Sequence, residues 1–177
     1  MKLNPRLPLL LAAFLLAAAA YASPPEGSPA PDFRLQDQNG EWHTRDQYQG
    51  RWVALYFYPK NDTPGCTTEA CAFRDNIFAF EEIGATVIGI SLDDVASHAE
   101  FAEKYSLPFT LLSDSGGETA QAYGVLTKIG SFRMASRESF LIDPDGKIAK
   151  HYAKVRPDTH SEEVLVDLKG LMVAASP

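Results

Sequence analysis

Two cysteines five positions apart, Cys66 and Cys71, hold the most reactive chemistry in this chain. They lie in the segment YPKNDTPGCTTEAC, residues 58–71. An aromatic-rich apolar run, WVALYFY over residues 52–58, leads into it. Such a run reads as a buried strand, and active sites of α/β sheets gather beyond the C-terminal ends of strands. Thr63 is placed as the N-cap of the next helix and Pro64 as its first residue. Cys66 then falls at the third helical position. Unpaired backbone N–H groups and the positive end of the helix dipole there favour a thiolate over a thiol. Pro59 and Pro64 stiffen the loop, and Gly65 leaves room for a small molecule at the sulfur.

Five residues along an intact helix separate two Cα atoms by roughly 8.5 Å, whereas a disulfide needs about 4.4–6.8 Å. The two sulfurs therefore do not bond while that turn is helical. Either the turn is never helical, or it unwinds in function. The plain alternative is a static staple, but a loop this short gains only about 2 kcal/mol from closure and the staple would forfeit a capped helix start. His43, His98, His151 and His160 are scattered, with no His-x-x-x-His spacing and none close to either cysteine in sequence. They read as surface or capping residues, so no metal site is expected. A Cys/His hydrolase would need a base that the sequence alone does not place.

The elements that must position this segment follow from periodicity and turn residues. Asn39-Gly40, between Phe33/Leu35 and Trp42, predicts a hairpin within residues 32–49. A helix is predicted over residues 64–82, with Phe73, Ile77 and Phe80 as its inward stripe. Residues 85–92 read as a second buried strand. Val95, Ala99 and Ala102 mark an amphipathic helix that stops near Pro108. A short strand at 109–112 and a short helix at 117–123 come next. Residues 124–136 form the least structured stretch. Asp143-Pro144-Asp145-Gly146 turns a hairpin between 139–142 and 148–152. A last helix from about His160 buries Val164, Leu165, Leu168, Leu171 and Met172. Strands alternating with helices predict an α/β fold with a mainly parallel sheet covered on both faces, and the late hairpin adds antiparallel strands.

Composition narrows the function classes. The 177 residues are 45% hydrophobic and 22% charged, which is ordinary globular composition. A formal net charge of -7 without a basic block argues against nucleic-acid binding. Two cysteines are too few for a disulfide-rich scaffold. Residues 1–22 begin with Lys2 and Arg6, continue through an apolar run and end on Ala20-Tyr21-Ala22. That is the layout of a cleavable secretory signal, and the run falls short of the ~20 residues of a spanning helix. Export, to a periplasmic or extracellular location, is the expectation. Residues 23–30 read as an extended, mobile Pro-rich lead-in, and 31–177 as one domain.

Pro59-Lys60-Asn61-Asp62-Thr63-Pro64-Gly65-Cys66 contains a P-x-x-x-T-x-x-C string, which resembles the peroxiredoxin signature. With Thr67 to Cys71 added, the chain is similar to the bacterioferritin comigratory protein / peroxiredoxin Q branch, in the form whose second cysteine lies five residues on. The segments at 31–35, 137–143 and 155–165 are also similar to family segments. The resemblance implies a thioredoxin-like fold, with a central mixed sheet flanked by helices and an N-terminal hairpin. It implies reduction of hydrogen peroxide and organic hydroperoxides without a cofactor. It gives Cys66 the peroxidatic role, Cys71 the resolving role through a Cys66–Cys71 disulfide, Thr63 a hydrogen bond to the peroxide, and Pro59 a shield against water. Arg137, ahead of Phe140-Leu141-Ile142-Asp143, matches the family arginine, and Arg133 is its rival. The implied partners are a peroxide and an external thioredoxin-like dithiol, with no nucleic acid, no stable membrane association once the signal is removed, and a monomer or weak homodimer. The stretch 123–137 looks shorter than in many relatives, with Leu126 where an aromatic is common. Two other readings stay open: an exported thiol–disulfide exchange protein, although four residues rather than two separate the cysteines, and a non-enzymatic module with a structural disulfide.

Overall fold

The computed structural model describes residues 22–175, so all but the last residue of the expected signal lies outside the described part. Among the described residues, nine strands and five α-helices, with a 3-10 turn at Arg45–Tyr48, follow in chain order: β1 Arg34–Asp37, β2 Trp42–Thr44, β3 Trp52–Phe57, α1 Pro64–Asp75, α2 Ile77–Glu82, β4 Ala85–Ser91, α3 Val95–Tyr105, β5 Thr110–Ser113, α4 Glu118–Ala122, β6 Leu126–Ile129, β7 Phe132–Ala135, β8 Glu138–Ile142, β9 Ile148–Tyr152 and α5 His160–Ala175. Seven strands form one sheet in the order β2-β1-β5-β4-β3-β8-β9. The sheet is mixed rather than mainly parallel. Only β3/β4 and β4/β5 are parallel, because only those pairs are joined by helical crossovers. Hairpins supply the antiparallel outer pairs β1/β2 and β8/β9.

The apolar run of β3 has its physical reason in two separate cores. Ala54, Tyr56 and Tyr58 point to one face, packed with Cys66, Ala70 and Phe73 of α1, Phe80 of α2, Phe101 of α3 and Leu168 of α5. Val53, Leu55 and Phe57 point to the other, against Ala30, Phe33, Ala120, Tyr123 and Phe140. A strand buried on both faces loses the alternation of a half-exposed one.

Four expectations change. The helix of 64–82 is broken at Asn76, whose side-chain amide donates to the Ala72 carbonyl and to Ser161 Oγ on α5. Phe73, Ile77 and Phe80 still face inward. On α3 the buried positions are His98 and Phe101, while Val95, Ala99 and Ala102 are only partly covered. The least-structured stretch is a two-stranded ribbon, β6/β7, closed by Gly130-Ser131 with Gly130 at φ +62°. A two-residue Gly-Ser turn was the available signal. The lead-in is docked. Gly27 N–H donates to Ile148 O, Ile148 N–H to Ser28 O and Ala30 N–H to Gly146 O, at 2.7–2.9 Å. Proline-rich composition hid the intervening donors and acceptors, and Ala30 is buried.

Candidate active site

β3 ends inside the sheet, and residues 58–63 carry the chain from it into α1. Thr63 has the extended backbone of an N-cap, and its carbonyl accepts from Thr67 N–H at 2.9 Å. Its hydroxyl does not cap the helix. It donates to Lys60 O at 3.0 Å, tightening the loop instead. Cys66 is the third helical residue and is 1% exposed. Cys71 is half-buried on the same unbroken helix, and both thiols are free. The helical option left open by the spacing is therefore the one this structure adopts, and the pair is too far apart along the helix to bond in this form.

Arg137 reaches the sulfur because of strand register. β8 runs antiparallel to β3 with Glu138 opposite Phe57, so Arg137, one residue before, falls beside the loop that leaves β3. Its Nη2 donates to Cys66 Sγ at 3.2 Å. The rival Arg133 lies on β7 and donates to the Gly116 and Ser115 carbonyls. Gly65 makes space for this cation as well as for any ligand: a Cβ there would sit 3.1 Å from Arg137 Nη2 and 3.8 Å from Pro157 Cγ. Pro59 is half-buried at the start of the loop.

Several site residues were not singled out from sequence. Glu69, one turn after Cys66 and 0% exposed, pairs through Oε2 with Arg137 Nη1. Its other oxygen has no hydrogen-bond partner. Burial pushes its carboxyl up to about 7, against the lowering effect of Arg137. An acidic residue on the cysteine's own helix face, three positions on, was the usable signal. Pro157, just before α5, covers Gly65. His98 and His160 are fully buried, and His43 and His151 are half-buried, so none of the four is an exposed surface residue. His160 Nε2 meets Ser139 Oγ at 2.8 Å, and its ring packs edge-on against Phe73. His151 stacks on Phe140 at 4.4 Å.

Among the described residues one group brings possible metal-ligand atoms within 4.8 Å of one another: Asp37, Glu41 and His43. It belongs to the β1/β2 hairpin, three strands from β3. Asp37 already accepts from the Asn39 and Glu41 backbone, and His43 lies between Asp37 and Tyr48.

A model of the AhpC/TSA family matches residues 27–151. Chloroplastic peroxiredoxin Q of Oryza sativa subsp. japonica is 44% identical over 147 residues, covering 82% of this chain and 67% of that protein. Peroxiredoxin Bcp of Bacillus subtilis (strain 168) is 42% identical over 149 residues, covering 82% and 95%. The crystal structure of peroxidoxin BcpB from Mycobacterium tuberculosis matches with a TM-score of 0.78 at 36% identity, over 82% of this chain and 97% of that one. A PrxQ mutant from Xylella fastidiosa matches with 0.79 at 34% identity, over 84% and 97%. The mixed sheet flanked by helices is thus the thioredoxin-like fold of these relatives. A buried cysteine under an arginine at a helix start, on that fold and in that sequence company, places the chain in the AhpC/TSA family, on its peroxiredoxin Q/Bcp branch.

Proposed function

We propose that this peroxiredoxin-type thiol peroxidase reduces hydrogen peroxide and organic hydroperoxides through Cys66 and regenerates through Cys71. The observation that carries the reading is the 3.2 Å contact between Cys66 Sγ and Arg137 in the first turn of α1. A guanidinium and open backbone N–H groups both favour a thiolate there.

The thiolate attacks one peroxide oxygen and the O–O bond breaks. The second oxygen leaves with the electron pair, takes a proton and departs as water or alcohol. Arg137 and the Cys66 N–H stabilise charge on the two oxygens as they separate. Thr63 gives its own proton to Lys60 O, so its oxygen serves as an acceptor for the peroxide O–H. Pro59 and Pro157 keep water off the sulfur. Cys66 is left as a sulfenic acid. The first turn of α1 unwinds, Cys71 attacks the Cys66 sulfur, and a disulfide forms with loss of water. An external thioredoxin-like dithiol then reduces that disulfide by exchange.

Residues 1–22 act in this reading as a signal removed on export, which puts the enzyme in a periplasmic or extracellular setting, as a monomer or weak homodimer. Stopped-flow peroxide reduction by the pre-reduced protein, with mass spectrometry of both sulfurs, tests the chemistry. Cys66→Ser should abolish consumption. Cys71→Ser should consume about one peroxide per chain and then stall or over-oxidise. Full activity in Cys66→Ser overturns the assignment. Insulin reduction outpacing peroxide consumption would favour the exchange-protein reading.

A further inference from the structure

Outside the Cys66–Arg137–Glu69 group, a buried polar cluster surrounds Asn61, two positions before the Thr63 cap. Asn61 is 7% exposed. Its backbone N–H donates to Asp93 Oδ2 at 2.8 Å, and Asp93 is itself fixed by Ser91 Oγ at 2.7 Å. Its side-chain Oδ1 accepts from Tyr58 OH at 2.8 Å. Its Nδ2 donates to Ser97 Oγ at 2.9 Å and to His98 Nδ1 at 3.1 Å.

Tyr58 OH also lies 3.2 Å from His98 Nδ1, and its shorter contact, 2.8 Å to Asn61 Oδ1, takes its proton. His98 Nε2 lies 3.2 Å from the Leu112 carbonyl, which only accepts, so Nε2 carries the hydrogen. In a neutral ring Nδ1 is then the acceptor that the Asn61 amide needs. Full burial holds His98 neutral by lowering its affinity for protons, although Asp93 and Asp94 ahead of α3 pull the other way. The groups facing the ring are Tyr58 at the end of β3, Asn61 in the loop, Asp93 and Asp94 before α3, and the Leu112 carbonyl on β5. A proton on Nδ1 would set hydrogen against hydrogen at Asn61. The next residue is held as well. Asp62 is in the left-handed region at φ +61°, and its carboxylate accepts from Lys104 at 2.7–2.8 Å and Tyr105 OH at 2.7 Å.

We propose that Asn61, gripped by Tyr58 and by the neutral Nε2–H form of His98, is the positioning residue that holds the loop ahead of Cys66 in its peroxide-reactive form and opposes release of that turn toward Cys71. This rests on the two-cysteine cycle proposed above. The cycle makes opposite demands on residues 63–66: helical for the attack on peroxide, unwound for the disulfide. A clamp immediately upstream stabilises the first state only. Loosening it slows one step and speeds the other, whereas a residue that merely supports the fold would slow both.

The test uses the full pre-reduced chain. Stopped flow gives the peroxide-dependent oxidation of Cys66 and the peroxide-independent closure of the disulfide as two rates. Asn61→Ala removes two buried side-chain partners and should slow the first about tenfold and speed the second several-fold. Asn61→Asp keeps the acceptor for Tyr58 but turns an acceptor toward His98, which then binds only a protonated ring. Its two rates should approach wild type as pH falls and the ring is protonated and diverge from it as pH rises, the reverse of the neutral clamp. Hydrogen exchange needs no peroxide. In Asn61→Ala the amides of 64–67 should exchange faster while those of 70–75 keep their rates. Rates that fall together, rates that do not move, or unchanged exchange at 64–67 overturn the clamp. A wild type that consumes no peroxide overturns the enzymatic reading instead, and the exchange result still decides the clamp. Should Asn61→Ala fail to fold, the pH profile of Asn61→Asp decides it.

Discussion

The arginine over Cys66 serves two buried partners. Nη2 faces the sulfur and Nη1 faces Glu69. Because burial raises the Glu69 carboxyl to about 7 from an unfolded value near 4.5, its protonated form favours the folded state. That contribution is complete below about pH 4.5 and is lost as pH rises through 7, since ionising Glu69 in the fold costs more than ionising it in the unfolded chain. Glu69→Gln fixes a neutral side chain in place. Urea unfolding at a series of pH values should show a flatter stability profile between pH 4.5 and 7 than wild type. Gly65 gives a sharper separation of stability from chemistry. Gly65→Ala gains up to about 1 kcal/mol of helix propensity, yet its methyl pushes on the guanidinium at 3.1 Å. The expected outcome is an unchanged or raised melting temperature with peroxide reduction about tenfold slower, as the donor leaves its contact with the sulfur.

At the scale of elements, α1 packs on the sheet through Phe73, which stacks on Tyr56 at 4.8 Å and touches Phe80, Phe109 and His160. Phe73→Ala should lower stability by about 3–5 kcal/mol in denaturant melts. Much of this element was legible beforehand. Pro64 at the first position and the Phe73/Ile77/Phe80 spacing are local signals, and local signals survive folding. The break at Asn76 was not legible, because it depends on Ser161, 85 residues away in sequence. The same limit hid the roles of His98 and Pro157. Each earns its place through partners brought by another strand or helix, and histidine has no fixed preference for core or surface. Arg137 was separable from Arg133 because its distance to the β8 strand sets which loop it meets. The arrangement around Asn61 was not readable, since three of its four partners, Asp93, Ser97 and His98, come from α3 and the turn before it.

Over the whole molecule, the two faces of the sheet carry different duties. The face of Tyr56 and Tyr58 supports the cysteine helix, while the face of Leu55 and Phe57 is sealed by Ala30, Phe33 and Tyr123. Deleting residues 23–30 removes three backbone hydrogen bonds and the buried Ala30, at about 1 kcal/mol per bond. The melting temperature should drop by several degrees while the peroxide-dependent rate of Cys66 stays at its full-length value, a split that calorimetry and stopped flow would read separately. The lead-in also fixes where the chain departs. A Cβ at Gly124, itself at φ +71°, would lie 2.5 Å from the Ser23 nitrogen, so only glycine lets the strap pass there. Any bulk added at Ser23 itself would therefore meet Gly124 first, in the turn between α4 and β6.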